Sequence, residues 1–185
     1  MGRRIFGPVS RPECILAPGG QVMNSQEIAD HLAITQQIYR YCRSVDRLDI
    51  PLGHKVFHPD SYADFGSYKG SGRGWIDYVC REHLKFLHHS HQVTNIIIDV
   101  VGDRAGSESY VTATLRSRDG SKVFQRQFWA RYVDEWSRRD GVWAIDKRDC
   151  VIDFDAVGEV TTISEYERPR RDPSDPSYRV LQAVK

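Results

Sequence analysis

Two side chains of this sequence have the chemistry and the placement expected of a general base and its partner. Asp46 lies four residues after Cys42 and eight after Ile38, so helical spacing puts its carboxylate on or beside an apolar stripe. A carboxylate that faces a core needs a partner, and an imidazole facing the same space would be one. The alternative is that Asp46 closes its helix with surface ion pairs to neighbouring charged residues.

His91 lies where a predicted helix gives way to a predicted strand. An imidazole at the start of a strand can project onto the concave face of a sheet and act as a general base near neutral pH. Two other interpretations stay open: a core histidine with satisfied hydrogen bonds, or one of several exposed histidines in a turn. His89 and His91 could also bind a metal together, but no third ligand follows at a recognisable spacing, and we expect no metal and no organic cofactor.

Further polar residues fall on the faces of two predicted strands. Alternation puts Asn95 on the face of His91, together with Val93 and Ile97, so Asn95 is expected to line the same cavity. Arg148 shares a mostly apolar face with later residues of the last strand, and it needs a carboxylate, a substrate anion or a subunit neighbour as partner. We interpret four aromatic residues as core or subunit contacts: Trp129, Tyr132, Trp136 and Trp143.

Three helices are predicted to precede these strands. Asn24 and Glu27 have the spacing of a capping box at the start of a long amphipathic helix. Asp49 and Pro51 suit the start of a short second helix, and a third helix begins at Trp75 after a glycine-rich loop over 70–74. The apolar stripe of the first helix is predicted to consist of Ile28, Leu32, Ile38, Cys42 and Val45.

The second half of the chain changes to the period of strands. A short strand is predicted over 62–65, and long strands are predicted over 91–101, 104–117, 122–138 and 142–155, joined by glycine-containing turns. Helices followed by an antiparallel meander indicate an α+β fold, with the helices on one face of a curved sheet that encloses a pocket. Residues 1–23 are interpreted as an arm, 24–155 as the domain and 156–185 as a tail.

Composition excludes several classes of protein. The 185 residues carry 26 Lys and Arg against 25 Asp and Glu, a net charge of +1, which argues against binding to nucleic acid or an acidic membrane. No apolar run approaches the roughly 20 residues of a membrane span. The four cysteines are scattered and are interpreted as free thiols of a cytoplasmic protein: Cys14, Cys42, Cys80 and Cys150.

Three segments carry a resemblance to a known family. They are IYRYCRSVD ending at Asp46, SHQVTN around His91 followed by GDRA, and RDGVW over 139–143. In order and separation they resemble the SnoaL-like polyketide-cyclase and dehydratase family of the nuclear-transport-factor-2-like superfamily. The resemblance implies a cone-shaped α+β barrel, and it is greatest to the branch of scytalone dehydratase, hexachlorocyclohexane dehydrochlorinase and bile-acid dehydratase.

That branch uses an Asp–His pair, which matches Asp46 and His91. The resemblance also implies a hydrogen-bond donor at Tyr41 and an arginine on the last strand, at Arg148. The dehydrochlorinase has a lysine at the position of Tyr41, and this departure argues against halide elimination. The residues expected to contact the substrate are Arg148, Tyr39, Asn95 and Trp75.

The expected function is therefore a cofactor-independent lyase, a dehydratase that acts on a hydrophobic, ring-containing small molecule. The protein is expected to be a homo-oligomer, either a dimer or a trimer. The same fold also serves catalytically silent proteins, so a ligand-binding or structural subunit is the alternative. An isomerase or cyclase that uses the same base is a third possibility.

Overall fold

The computed structural model describes residues 23–161 and 170–181. The predicted arm, with Cys14, lies outside the described residues except at its last position. The helices are α1 (Ser25–Arg47), α2 (Ile50–Val56), α3 (Gly72–His83) and α4 (Ser177–Val180). The strands are β1 (Phe57–Asp64), β2 (Lys69–Ser71), β3 (His88–Val101), β4 (Arg104–Asp119), β5 (Lys122–Arg139) and β6 (Val142–Glu159).

The six strands form one curved sheet in the order β2-β1-β6-β5-β4-β3. Strands β3 to β6 are the predicted antiparallel meander, and helices α1 to α3 pack on the sheet, so the predicted α+β cone is confirmed. Two details differ from the prediction. The sheet does not close on itself, since β2 and β3 are its two edges, and it is mixed, because β1 runs parallel to β6.

Helix α1 begins with the predicted capping box. The side chain of Asn24 accepts hydrogen bonds from two backbone N–H groups of the first turn, and Glu27 accepts one from the backbone N–H of Asn24 at 2.7 Å. The predicted stripe is wrong at Leu32, which is 60% exposed. The buried stripe instead runs at helical spacing from Ile34 through Ile38 and on toward the C-terminus of the helix, which carries the candidate site.

The glycine-rich segment is not a loop, as the sequence had indicated, but forms β2 and the first turn of α3. Ser71 caps this helix, because its hydroxyl accepts a hydrogen bond from the backbone N–H of Gly74 at 3.1 Å. Gly72 lies so close to β1 that an added Cβ would sit 2.2 Å from the ring of Phe57. The glycines therefore allow α3 to pack closely on β1.

The predicted strand positions also change at both ends of the domain. Strand β1 begins at Phe57, five residues before the predicted start, because the chain passes from α2 directly into the sheet. Strand β6 continues to Glu159, four residues into the predicted tail, because it stays paired with β5 as far as Phe124. Within 23–161 and 170–181, no helix combines the length and the apolar character needed to cross a bilayer.

Candidate functional site

The last turn of α1 and the start of β3 meet at a histidine–carboxylate pair. The ring atom Nδ1 of His91 lies 2.8 Å from Oδ1 of Asp46, and the backbone N–H of His91 donates to Oδ2 of the same carboxylate at 3.1 Å. Because a carboxylate only accepts, Nδ1 carries a hydrogen, and in the neutral form of the imidazole this leaves the lone pair on Nε2. Both side chains are largely buried, with 7% of His91 and 18% of Asp46 exposed.

The two arginines near Asp46 contact the C-terminal segment 170–181. The Nε atom of Arg47 lies 3.6 Å from a carboxylate oxygen of Asp175, and Arg43 donates to the hydroxyl of Ser177 at 3.0 Å. Arg47 also donates to the backbone oxygen of Asp46 at 3.3 Å. The ion pair considered for Asp46 is thus formed by Arg47 with Asp175, and the carboxylate of Asp46 contacts the imidazole of His91.

Two further histidines lie beside His91. The ring of His83, at the end of α3, stacks on the ring of His91 with centroids 5.7 Å apart and planes 20° apart. The ring of His89 lies 4.7 Å from that of His83, and its Nε2 is 3.0 Å from the backbone oxygen of Val45. Burial lowers the pKa of His83 to about 2 and that of His89 to about 4, so both are neutral at physiological pH.

The side chains of His89 and His91 in this cluster make hydrogen bonds to α1. In the described part of the chain, no three His, Cys, Asp or Glu side chains are grouped so that they could hold a metal ion. One ring nitrogen of His91 faces Asp46, and one of His89 faces a backbone oxygen. The alternation of His89 and His91 along β3 thus has an explanation in hydrogen bonds to α1.

Tyr41 and Trp75 meet in the core. The indole N–H of Trp75 donates to the hydroxyl oxygen of Tyr41 at 2.8 Å, and its ring stacks on Phe65 with centroids 3.7 Å apart. Burial raises the pKa of Tyr41 above its usual value, which keeps the hydroxyl protonated. Since the Tyr41 oxygen accepts from Trp75, its own O–H remains able to donate to another group.

Arg148 is fully buried and held between two aromatic rings. Its guanidinium donates two hydrogen bonds to Asp134, at 2.6 Å and 2.7 Å, and lies 4.2 Å from the ring centre of Tyr41 and 4.1 Å from that of Tyr132. Burial raises the pKa of Asp134, while Asp134 outweighs the effect of burial on Arg148 and raises the pKa of the arginine. The partner that Arg148 requires is thus a carboxylate of β5.

Asn95 and Tyr39 lie together, but the alternation predicted along β3 from His91 is interrupted at Asn95. Strand β3 has an irregularity between Thr94 and Ile97, where Asn95 takes a left-handed conformation with φ 48°. The prediction that one face continues from His91 to Ile97 is wrong: Ile97 is exposed, and Ile98 is buried instead. Asn95 and Tyr39 line a cavity of about 300 Å³ between α1 and β3.

The sheet beside His91 presents apolar side chains. Directly opposite residues of antiparallel strands share a face, and one such row runs from His91 through Ala113 and Phe128 to Asp155. The neighbouring row starts at Val93 and continues with Val111, Ala130 and Ile152. The imidazole therefore lies at the edge of an apolar surface on the side of the sheet that packs against the helices.

Two larger cavities lie on the outside of the helices. One of about 690 Å³ is lined by α2 and the C-terminal segment, and one of about 480 Å³ lies between the end of α1 and α3. Arg171 lines both of them, whereas Asp46 and His91 line neither. These cavities belong to the docking of the C-terminal segment and not to the histidine–carboxylate pair.

Sequence reasoning missed three residues that shape the site: His83, Asp134 and Arg171. His83 falls at helical spacing with the apolar residues of the third predicted helix. The sequence therefore contained a signal for a buried histidine near His91. Asp134 lies two residues from Tyr132 and two from Trp136 along β5, so the pattern indicates an acidic residue on the same buried face. Nothing in the local sequence distinguishes Arg171 from the other arginines of the tail.

Comparison with known proteins decides the family. The model of the SnoaL-like domain matches residues 26–149. The chain belongs to the SnoaL-like domain family. No curated protein sequence matches this SnoaL-like chain.

Solved structures share the fold at low sequence identity. A protein of Novosphingobium aromaticivorans assigned as a scytalone dehydratase is 21% identical, with TM-score 0.64 over 78% of this chain and 100% of that one. The type 3 hexachlorocyclohexane dehydrochlorinase of Novosphingobium barchaimii is 18% identical, with TM-score 0.62 over 75% and 95%. A protein of N. aromaticivorans assigned as an aromatic ring hydroxylase is 24% identical, with TM-score 0.62 over 72% and 94%.

Proposed function

We propose that this SnoaL-like protein is a lyase that removes water from a hydrophobic, ring-containing small molecule. The observation that carries the proposal is the contact between Nδ1 of His91 and Oδ1 of Asp46 at 2.8 Å, which leaves the lone pair on Nε2. An imidazole held in this tautomer is prepared to accept a proton. The proposed steps use side chains alone.

In the proposed reaction, Nε2 of His91 removes a proton from a carbon next to an activating carbonyl. The electrons of the broken C–H bond form a double bond with the neighbouring carbon, and the hydroxyl on that carbon departs. The proton gained by His91 passes to the departing hydroxide, so that water leaves and the imidazole returns to its neutral form. Asp46 stabilises the positive charge on the ring between these two transfers.

Tyr41 donates a hydrogen bond to the substrate oxygen that gains charge or departs. Its oxygen is already fixed by the indole of Trp75, so the direction of its O–H is restricted. The guanidinium of Arg148 is hydrogen-bonded to Asp134 and packs on the ring of Tyr41, so we assign Arg148 the role of positioning Tyr41. The substrate ring lies on the apolar rows of β3 to β6, which supports a hydrophobic substrate.

One observation favours the non-catalytic alternative. The outer half of β6 carries large apolar side chains with high exposure on both faces of the sheet, and a subunit of a larger assembly would expose such side chains to its partner. These residues are Val151, Ile152, Phe154 and Val157, exposed by 37% to 65%. In the lyase proposal a second or third copy of the chain covers Val151 and Phe154, which lie on the face opposite to Ile152, as expected of a homo-oligomer.

Product analysis on a panel of hydroxylated cyclic ketones tests the proposal. A lyase releases a product lighter by one water, whereas an isomerase or cyclase that uses the same base releases a product of unchanged mass. A binding protein retains the compound without turnover. The panel should be run on protein whose oligomeric state is measured by light scattering, and absence of any turnover by an assembled homo-oligomer would reject the lyase.

A further inference from the structure

The C-terminal segment 170–181 contacts the elements that carry the histidine–carboxylate pair from two sides. Arg171 donates hydrogen bonds to the backbone oxygens of His83, Phe86 and Leu87, each at 3.2 Å. The last carbonyls of a helix lack partners within the helix and form the negative end of its dipole, so a guanidinium stabilises them. Arg171 therefore holds the end of α3 in place.

The end of α3 bears directly on His91. His83 is the last residue of α3, and its ring stacks on that of His91 with centroids 5.7 Å apart. One of the three carbonyls bound by Arg171 belongs to His83 itself. A shift of this carbonyl would move the imidazole that limits where the ring of His91 can lie.

Other residues of the segment contact the end of α1 on both sides of Asp46. Asp175 pairs with Arg47, one residue after Asp46, and Ser177 accepts from Arg43, three residues before it. The guanidinium of Arg43 also lies 5.0 Å from the ring centre of Tyr178.

Tyr178 joins the segment to the start of α2 as well. Its hydroxyl donates to Oδ2 of Asp49 at 2.8 Å, while Oδ1 of Asp49 caps α2 by accepting from the backbone N–H of Leu52 at 3.0 Å. One short segment thus joins the ends of α1 and α3 and the start of α2. Asp46 and His83 both lie on elements that it joins.

We propose that residues 170–181 form a strap that positions the His91–Asp46 pair, with Arg171 acting through His83 and Tyr178 acting through Asp49, whose backbone N–H donates to the backbone oxygen of Ser44 near the end of α1 at 2.8 Å. The inference rests on the proposed function for its catalytic readout, although the geometry of the pair can be measured without it. Arg171 is a positioning residue, since it contacts neither Asp46 nor the reacting atoms. The strap makes the order of the site depend on a segment outside the matched family domain, which ends at residue 149.

The test compares Arg171→Ala, Arg171→Lys and the matched control Arg170→Ala in the full chain. Arg170 is adjacent and donates to Ser174 within the strap, so its loss removes a charge without releasing α3. For Arg171→Ala we expect kcat for the panel compound that the wild type dehydrates to fall about 10- to 100-fold, with KM changed less than about threefold. Arg171→Lys should be intermediate, because a single nitrogen cannot occupy the positions of both guanidinium nitrogens that contact the three carbonyls. Arg170→Ala should match the wild type.

A spectroscopic readout separates this inference from the proposed function. The ¹⁵N shifts of the His91 ring at fixed pH report its contact with Asp46, whether or not the protein turns over any compound. We expect them to change in Arg171→Ala and to stay unchanged in Arg170→Ala. Unchanged His91 shifts in a folded Arg171→Ala protein would overturn the strap even if the wild type is active, and changed shifts would support it even if the wild type is inactive.

Should Arg171→Ala not fold, Tyr178→Phe provides the second variant. It removes one hydroxyl and its hydrogen bond to Asp49, while the ring that packs near Arg43 is kept. A change in the His91 ring shifts of this variant would support the strap. Wild-type shifts in both Tyr178→Phe and Arg171→Lys would reject it.

Discussion

The carboxylate of Asp46 accepts hydrogen bonds from both the ring and the backbone of His91, at 2.8 Å and 3.1 Å. The backbone contact fixes the start of β3 against the end of α1, and the ring contact fixes the tautomer of the imidazole. One residue therefore sets both where the proposed base lies and which nitrogen is basic.

The buried pair of Arg148 and Asp134 should be costly to break. Asp134→Asn leaves a buried guanidinium without a charged partner, and we expect the free energy of unfolding to fall by about 3 to 5 kcal/mol. Replacing both residues, as in Asp134→Leu with Arg148→Met, should cost less than the sum of the single changes, because no charge stays buried. Urea unfolding measures both quantities.

The more exposed pair of Arg131 and Asp153 is the control for that experiment. Arg131→Met should change the unfolding midpoint much less than Asp134→Asn does, because water solvates the remaining carboxylates of Asp153 and Glu108. Equal effects of the two substitutions would show that burial of the Arg148–Asp134 pair has no special importance for stability.

The histidine cluster should make the fold sensitive to acid. In the unfolded chain a histidine has a pKa of about 6.5, whereas burial lowers the pKa of His83 to about 2 and that of His89 to about 4. Below pH 6.5 the unfolded state binds protons that the folded state does not. Stability is therefore complete above this pH and falls as the pH drops toward 4, by up to about 1.4 kcal/mol per pH unit for each histidine.

His83→Gln should reduce this loss of stability between pH 6.5 and 4.5. The variant removes one of the two groups that take up a proton on unfolding, so its plot of unfolding free energy against pH should be less steep. Parallel plots for the wild type and His83→Gln would contradict the assignment of His83 as a buried neutral base.

Gly72 should tolerate no side chain. A Cβ at this position would lie 2.2 Å from the ring of Phe57, which is itself buried in the core, so Gly72→Ala forces α3 away from β1. We expect a loss of about 1 to 3 kcal/mol in chemical unfolding. Gly106→Ala, where an added Cβ meets nothing within 4 Å, is the matched control, and a loss of the same size there would refute the steric account.

The two tyrosines near the end of α1 should differ in their effect on turnover. Tyr41→Phe removes the proposed donor to the substrate oxygen, and we expect kcat to fall about 100- to 1,000-fold with little change in KM. Tyr39 lines the separate cavity with Asn95, so Tyr39→Phe should leave kcat unchanged. Similar kinetics of the two variants would remove Tyr41 from the mechanism and return both tyrosines to a structural role.

Much of the fold follows from local sequence. The capping box at Asn24, the cap of α2 at Asp49 and the glycine-containing turns between the long strands all act within a few residues, and the structure contains each of them. The loop predicted over 70–74 is wrong because Gly72 allows α3 to approach Phe57. That requirement arises from packing and leaves no local signal.

The site divides in the same way. Helical spacing predicts Asp46 beside the apolar stripe, and the position of His91 at a strand start agrees with its contact to α1. The placement of Asn95 failed because the irregularity in β3 shifts the alternation, and alternation alone contains no warning of it. Arg171 contacts α3 from a distance of more than 80 residues along the chain, which only the folded structure reveals.

The most direct test of the proposed mechanism is the rate of water loss in Asp46→Asn and His91→Gln, measured on the panel compound that the wild type converts. The chain offers a matched control in the exposed pair of His54 and Asp77, which has the same 2.8 Å contact away from the site. We expect kcat/KM to fall about 1,000-fold in both site variants and to stay at the wild-type value in His54→Gln and Asp77→Asn. Wild-type turnover by folded Asp46→Asn or His91→Gln protein would contradict the proposal that this pair is the catalytic base.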